Sequence, residues 1–254
     1  MTRSTPGPYS GIPLESDPAI FTDLLRALGV KGLQFHDLLF LDPIDEVRAS
    51  LPGPVLAVIL IYATTPDYEA GLRKERQDAR DAGKGYAGVG ADEPTVWFDQ
   101  TIRHACGFMG ILHAAANLSP AGQDGQYIEP NSLLSNLLRD ALSLAPTERA
   151  ALLKSSLGIA EAYNAASVRG TSQIVHAEEE AIGHYVCFTR SPQNGYIYEL
   201  DGGKNGPIDQ NEWLGGDQDI LSGGLKLAQE FIAKRTDPQR PYGHVMVLVP
   251  EENA

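Results

Sequence analysis

Apolar residues recur at helical spacing in several stretches of the chain. Between Ile20 and Leu28 they fall on one stripe, which predicts a helix over 17–28 that Ser16 can cap and Gly29 can end. The same spacing predicts further helices near 105–117, 131–143, 147–165 and 219–234.

Other stretches have the pattern of β-strands. Residues 54–62 are apolar throughout, as expected for a strand that is buried on both faces. Residues 184–189 and 196–200 flank the turn sequence SPQNG and predict a β-hairpin, and 244–249 predict a final strand. Because helices and strands are mixed without regular βαβ units, we expect a layered α/β or α+β domain with a largely antiparallel sheet.

Three segments interrupt these patterns. Residues 1–12 are rich in Pro, Gly and Ser and predict an extended arm, while 66–95 predict a short exposed helix followed by a mobile loop. Residues 166–180 are polar and irregular, which is typical of a long surface loop. Apolar structure resumes after each interruption, so we expect one domain over 1–254.

The charge balance excludes some classes of partner. The chain has 20 Lys and Arg against 33 Asp and Glu, a net charge of −13. It lacks the basic footprint of a nucleic-acid binder, and an anionic membrane would repel it. The longest apolar run, 55–63, is about half of what spans a bilayer, and the N-terminus lacks the apolar region of a signal peptide. We therefore expect a cytoplasmic monomer, with nuclear access left open.

Cys106 is the first candidate for chemistry. Neither it nor Cys187 lies in a CxxC pair, so a zinc knuckle is unsupported and we expect no metal or cofactor. A helical pattern begins at Cys106, and the positive end of that helix should favour the thiolate and lower the pKa of the thiol. Gln100, six residues upstream, could join the Cys106 backbone N–H in stabilising an oxyanion.

His184 and Asp201 form the second half of the candidate site. Strand alternation puts His184 on the opposite face from Cys187, which is therefore predicted to be a core thiol. A hairpin turn centred at 192–193 would place His184 opposite Asp201, in reach of an imidazole–carboxylate bond. A turn at 194–195 would shift this pairing by one or two residues.

A nucleophile, a base and an orienting carboxylate are what an acyl-transferring thiol enzyme needs. Two simpler interpretations compete with it. An isolated cysteine on an apolar helix is usually an inert core residue. His104, Cys106 and His113 could instead hold a metal, although the sequence suggests no fourth ligand.

Four separated blocks of the sequence carry a family resemblance. They are GIPLESDPAIFTDLLRALGV, LPGPVLAVILIY, WFDQTIRHACGFMGILHAAAN and GHYVCFT…GYIYELDGGK. In order and spacing they resemble the ubiquitin C-terminal hydrolase family, cysteine peptidases with a papain-like core. The resemblance runs from about residue 10 to 250 and is weakest in 66–95 and 118–145. It implies a knotted α/β fold and ubiquitin as the substrate.

The resemblance also implies roles for individual residues. Cys106 would be the nucleophile, His184 the general base, Asp201 the residue that orients it, and Gln100 an oxyanion donor. The implied reaction removes small or unfolded adducts from the C-terminal glycine of ubiquitin through a thioester. The loop 166–180 is similar to a strap that crosses the site and keeps folded adducts out.

Substrate contacts are implied for Leu14, Glu15 and Asp37, which resemble ubiquitin-contacting positions of the family. An acidic surface there would attract the arginine-bearing tail of ubiquitin. Two positions depart from the family pattern: His104 stands where Asn is usual, and Phe108 where Thr is usual. Both flank Cys106 in sequence and could alter the rate or the fit of the tail.

Alternatives from other classes remain open. One is a ubiquitin-binding module of the same fold whose catalysis is impaired, and another is a thiol hydrolase or transferase acting on small molecules. Whether a ubiquitin-like protein is also accepted stays open. The chain ends five residues after the last predicted strand, so we expect no C-terminal anchoring extension of the kind that some family members carry.

Overall fold

The computed structural model describes residues 7–118, 127–170, 183–235 and 243–251. Its helices are α1 (Pro18–Ala27), α2 (Ile44–Ala49), α3 (Pro66–Asp81), α4 (Cys106–Ala116), α5 (Leu133–Ala141), α6 (Pro146–Ser155), α7 (Leu157–Ser167) and α8 (Ile220–Arg235). Its strands are β1 (Leu33–Leu38), β2 (Ala57–Ala63), β3 (Gly183–Arg190), β4 (Ile197–Leu200), β5 (Ile208–Asp209) and β6 (Gly243–Pro250). None of the helices in these ranges is both long and apolar enough to cross a membrane.

The strands form one sheet in the order β1-β6-β2-β3-β4-β5, and all neighbouring pairs are antiparallel. The apolar strand β2 lies at its centre between β3 and β6, and all but its last residue are buried. One core packs the sheet against α1, α4 and α7, and a second packs it against α8. The layered α/β fold with an antiparallel sheet is therefore confirmed, while the knotted path of the backbone stays a prediction.

The first helix begins one residue later than expected. Asp17, not Ser16, is the cap, because its Oδ1 accepts hydrogen bonds from the backbone N–H groups of Ala19 (2.7 Å) and Ile20 (3.0 Å). Ser16 is engaged elsewhere: its Oγ lies 2.7 Å from Nδ1 of His244. The prediction of Ser16 as the cap was wrong because the two neighbouring residues are both good capping types, and Asp17 has the extended backbone of a cap.

Other differences follow from tertiary packing. The single helix predicted over 147–165 is two helices, because Ser156 between α6 and α7 has an extended backbone. Strand β1 was not predicted, since its polar residues obscure the alternation, and pairing with β6 holds it in the sheet. The helix predicted within 66–95 is longer than expected: α3 runs for 16 residues from its cap at Thr65. The predicted mobility of the following loop stays a prediction.

The hairpin between β3 and β4 is centred at 193–194, one residue later than the predicted centre at 192–193. The ladder pairs Cys187 with Leu200, so its continuation puts Asp201 two residues away from the position opposite His184. The turn is shifted because Oγ of Ser191 accepts hydrogen bonds from the two N–H groups at 193 and 194. The direct pairing was therefore wrong, but a shift of two residues keeps both side chains on the same face.

Candidate active site

Cys106 is the first residue of α4, the helix that packs most extensively on β3. The helix is apolar and buried from Gly107 to Ala115, so its start is fixed by the core. Cys106 itself is half-buried, and its Sγ lies 3.9 Å from the carbonyl oxygen of Gly183, the first residue of β3. The thiol is thus held where a helix and a strand begin side by side.

The structure reverses the expected pKa shift of this thiol. Burial raises the pKa of Cys106 to about 11, and the negative charge of Asp201 acts in the same direction. Backbone N–H groups at Gly107 and Tyr185 lower the pKa but do not overcome burial. The prediction of a lowered pKa was wrong because it weighed the helix terminus without the loss of solvent. Burial thus favours the protonated thiol over the thiolate in the free protein.

His184 and Asp201 form a tight pair. Nε2 of His184 lies 2.8 Å from Oδ2 of Asp201, and Oδ1 of Asp201 accepts a hydrogen bond of 2.7 Å from the Gly203 backbone. Burial opposes the charged form of each partner, but their mutual attraction outweighs it. The pKa of Asp201 is therefore lowered to about 2, and the pKa of His184 is raised above 6.5. Since Nε2 is taken, Nδ1 is the ring nitrogen available to a thiol.

An open cavity of about 500 Å³ brings three of the predicted residues together. Its wall includes Gln100, Cys106 and His184, with Asp201 behind the imidazole. The remaining lining residues are Thr64, Thr65, Glu69, Leu72, Arg73, Arg76, Arg103, His104, Gly183 and Gly203. The contribution of α3 to this wall was not anticipated, because its charged sequence resembles an ordinary exposed helix.

Gln100 is held in place through its backbone. Its N–H donates a 2.9 Å hydrogen bond to the carbonyl oxygen of Gly202, which follows Asp201 directly. A β-carbon at Gly202 would lie only 2.9 Å from Cβ of Gln100, so glycine permits this close approach. The side-chain Nε2 of Gln100 donates a hydrogen bond of 3.3 Å to the carbonyl oxygen of Ile102. The second N–H of this amide remains available to another acceptor. The DGG sequence after β4 was the signal for Gly202, and the sequence analysis missed it.

His113 and Trp97 also fix the site, and the sequence analysis missed both roles. The buried imidazole of His113 accepts a 3.1 Å hydrogen bond from the backbone of Phe98, and burial lowers its pKa to about 4. Nε1 of Trp97 donates a hydrogen bond of 3.0 Å to the carbonyl oxygen of Asp201. Within the described residues, no three His, Cys, Asp or Glu side chains are grouped as a metal site would require.

The two positions that depart from the family pattern have different environments. Phe108 is fully buried, with its ring 5.5 Å from that of Tyr163 and 6.3 Å from that of Tyr9, so it anchors the N-terminal arm. His104 lines the cavity and has a left-handed backbone, with φ of 55°. Its Nε2 is buried and has no hydrogen-bond partner among the residues that the structure describes.

The predicted substrate-binding residues lie on the α1 side of Cys106, outside this cavity. The carbonyl oxygen of Leu14 accepts a 3.3 Å hydrogen bond from the hydroxyl of Tyr185. A β-carbon at Gly170, just after α7, would lie 2.5 Å from Oε2 of Glu15. Oδ1 of Asp37 is 2.9 Å from Nε2 of His244. Most of the predicted strap over 166–180 lies outside the described residues, which resume at 183.

Comparisons with known proteins agree with this geometry. The chain matches the family described as ubiquitin carboxyl-terminal hydrolase, family 1, over residues 12–235. The probable ubiquitin carboxyl-terminal hydrolase of Dictyostelium discoideum is 28% identical over 243 residues, covering 95% of this chain and 89% of the relative. Ubiquitin carboxyl-terminal hydrolase 3 of Arabidopsis thaliana is 28% identical over 225 residues, covering 88% of each.

A solved structure has the same fold. The catalytic domain of Trichinella spiralis UCH37, crystallised with ubiquitin vinyl methyl ester bound, aligns with a TM-score of 0.65. The alignment covers 94% of this chain and 95% of that chain at 20% identity. At this level of identity the likeness shows the fold alone.

Proposed function

The chain belongs to ubiquitin carboxyl-terminal hydrolase family 1, and from that premise we propose that Cys106 cleaves small or unfolded adducts from the C-terminal glycine of ubiquitin. The observation that carries the proposal is the shared cavity. Cys106 lies at the start of α4, and in the same wall the His184 imidazole is bonded to Asp201. A thiol, a base and an oriented carboxylate are the parts of a cysteine peptidase.

The first step is proton transfer. Because burial favours the protonated thiol of Cys106 in the free enzyme, neutral His184 takes its proton at Nδ1 as the sulfur attacks the carbonyl carbon of the terminal glycine. Asp201, bonded to Nε2, holds the ring in place and stabilises the imidazolium that forms. The product of this step is a tetrahedral intermediate with a negative oxygen.

Two donors are available to that oxygen. One is the Cys106 backbone N–H at the free N-terminus of α4, and the other is the N–H of the Gln100 amide that Ile102 does not use. The intermediate then expels the adduct amine, which takes its proton from His184, and leaves a thioester between ubiquitin and Cys106. Water activated by His184 hydrolyses the thioester and restores the thiol and a ubiquitin carboxylate.

Charge supports the choice of substrate. The acids Glu15 and Asp37 lie on the α1 side of the thiol in a chain of net charge −13, where they can attract the basic tail of ubiquitin. We expect association with ubiquitin to slow as ionic strength rises, with little change in kcat. We also propose that the loop 166–180 restricts cleavage to adducts that are short or unfolded.

One experiment separates this function from the impaired-module alternative. The enzyme is incubated with ubiquitin whose C-terminus bears an electrophilic trap, and the mass of the adduct and its position are measured. We expect one ubiquitin per chain on Cys106. Cys106→Ala should bind ubiquitin without reacting, whereas Cys187→Ala should react normally because Cys187 is a fully buried core thiol. Binding without any covalent product in the parent enzyme would favour the impaired module.

A further inference from the structure

A second cavity, of about 700 Å³, adjoins the catalytic one. Leu72 and Arg76 of α3 line both cavities, so the two meet along this helix. Across from α3, the wall of the second cavity is made by Lys84, Tyr86 and the segment 204–208, which follows β4. We call this second space the side cavity.

The junction between the two cavities lies beside the catalytic base. A β-carbon at Gly203 would lie 3.7 Å from Cδ2 of Leu72 and 3.7 Å from Cε1 of His184, so both side chains approach the same point of the backbone. Glu15 and Asp37, to which the proposed function assigns the ubiquitin tail, lie outside the linings of both cavities. The side cavity is then left to the group on the other side of the scissile bond, which is the adduct.

Aromatic and aliphatic side chains supply much of the wall of the side cavity. They are Tyr68, Leu72, Tyr86, Pro207 and Ile208. The ring of Tyr68 lies edge-on to that of buried Tyr62, with 6.3 Å between their centres. The ring of Tyr86 lies edge-on to that of buried Trp97, at 6.0 Å. Because both tyrosines pack on core aromatic residues, these walls are formed before a ligand arrives.

The charged residues of this lining give no reason to expect a charged ligand. Arg76 is paired with Asp99. Lys204 is paired with Glu199. The lining has two further charged residues of opposite sign, Glu75 and Lys84. Apolar contact is therefore the interaction that this cavity offers.

Gly71 is a further feature that points to a ligand in the side cavity. It lies inside the 16-residue helix α3, where glycine is the least favourable residue after proline. Packing does not require a glycine there, because a β-carbon at 71 would meet nothing within 4 Å. The missing side chain instead leaves one wall of the side cavity open.

We propose that the side cavity binds an aromatic side chain near the start of the peptide that is released from ubiquitin. This inference rests on the proposed function and names a preference among its substrates. An extended peptide spans roughly 3.3–3.6 Å per residue, so the first few residues after the scissile amide can reach past Leu72 into the side cavity. Successive side chains point to opposite sides, so the preference should depend on position in the peptide.

The test varies one residue of the adduct. Ubiquitin is joined through its C-terminal glycine to an amidated peptide of four serines, or to versions with phenylalanine at position 2, 3 or 4, and kcat/KM is measured for each release. At the best position we expect phenylalanine to be favoured about three- to tenfold, the effect of partly burying one aromatic side chain. The preference should persist as salt is added, because it does not depend on charge. Equal values for the four peptides would overturn the inference.

Filling the side cavity from α3 assigns the preference to it. Gly71→Leu introduces an apolar side chain at a position where the β-carbon has no clash, and leucine is a better helix former than glycine. We expect the ratio of kcat/KM for the phenylalanine and serine peptides to approach one. Gln77→Leu is the matched control, since Gln77 is exposed on α3 and lies outside both linings. The control should keep the parent ratio.

The outcomes separate two failures. A preference that persists in Gly71→Leu would overturn the role of the side cavity, because the ratio is internal to each variant and does not depend on how much enzyme is folded. Release of none of the peptides by the parent enzyme would overturn the proposed function, and this inference with it. Release of all four with equal efficiency would leave the proposed function intact and overturn this inference alone.

Discussion

Two histidine–aspartate pairs in this protein have nearly the same distance between the ring nitrogen and the carboxylate oxygen. Nε2 of His184 lies 2.8 Å from Asp201, and Nε2 of His244 lies 2.9 Å from Asp37. Each pair is diagonal, two residues away from direct pairing across an antiparallel ladder. Both pairs also lie at the same end of the sheet, because His184 is opposite Tyr62 of β2 and His244 is opposite its neighbour Ile61. Adjacent residues point to opposite faces, so the two pairs lie on opposite sides of the sheet.

Burial distinguishes the pairs. The side chains of His184 and Asp201 are 12% and 1% exposed, whereas those of His244 and Asp37 are 24% and 35% exposed. Oδ1 of Asp37 also fails to align with the imidazole N–H for a hydrogen bond, although the distance is short. Oδ1 of Asp37 is itself buried, but the two side chains as a whole are partly exposed, and a partly exposed ion pair contributes little. The first pair is therefore the better candidate to orient a base.

Their neighbours differ as well. His184 shares a cavity with a thiol, while Nδ1 of His244 meets the hydroxyl of Ser16 at 2.7 Å. Ser16, His244 and Asp37 have the residue types of a hydrolytic triad, but they lie outside the lining of the cavity that includes Gln100. Residue types and distances therefore do not define an active site without burial and oxyanion donors.

The largest expected difference between the pairs comes from removing each carboxylate charge. Asp201→Asn should lower kcat by about 10³–10⁴-fold with little change in KM, because His184 loses its orientation. Asp37→Asn should keep kcat and raise KM severalfold, since it removes only an attraction for the ubiquitin tail. Release of a fluorescent amine from the C-terminus of ubiquitin measures both constants. Equal losses of kcat in the two variants would contradict the conclusion that only the His184–Asp201 pair takes part in catalysis.

The pH dependence of the reaction should also distinguish the two pairs. Because burial raises the pKa of Cys106 to about 11, the proposed reaction needs His184 in its neutral form to accept the proton. Since Asp201 raises the pKa of His184 above 6.5, kcat/KM should rise with pH through that region. Asp201→Asn should move the rising limb to lower pH in its residual activity, whereas Asp37→Asn should leave it in place. A limb at mildly acidic pH in the parent would instead indicate a preformed thiolate.

Apolar patterning predicted the frame of this site but not its electrostatics. Strand β2, helix α4 and the β3–β4 hairpin could be predicted because each buries a regular apolar face. The predicted contact between His184 and Asp201 is present although the predicted strand register was wrong by two residues. A shift by an even number of residues leaves both side chains on the same face of the sheet. The shift in the pKa of Cys106 could not be predicted, since its direction depends on how deeply the fold buries the thiol.

The second pair could not be predicted for a different reason. His244 and Asp37 meet because β1 pairs with β6, and these strands lie at opposite ends of the chain. The polar residues of β1 hide its alternation, so the sequence predicted no strand there and no partner for His244. Gly202 was missed because its role is to allow the close approach of Gln100, which is distant in sequence. Contacts of this kind depend on topology and leave no local periodic signal.

A smaller effect is expected from disturbing Gln100, the proposed oxyanion donor in the cavity of His184. Gly202→Ala places a methyl group 2.9 Å from Cβ of Gln100, so the amide must shift. We expect kcat to fall about ten- to a hundredfold, less than the loss for complete removal of a donor. Gly7→Ala in the N-terminal arm is the control, because a β-carbon there meets nothing within 4 Å. Unchanged kcat for Gly202→Ala would argue against Gln100 as an oxyanion donor.

The smallest effect should come from the hydroxyl beside the second pair. Ser16→Ala removes one partly buried hydrogen bond to His244, so the free energy of unfolding should fall by about 0.5–1.5 kcal/mol and kcat should stay within about twofold. A more stringent version uses the Cys106→Ala background and a small activated ester as the substrate. If Ser16, His244 and Asp37 worked as a triad, this background would retain ester hydrolysis that Ser16→Ala then removes. We expect no hydrolysis above the uncatalysed rate in either variant, because the three residues lie outside the lining of the catalytic cavity, which includes Gln100.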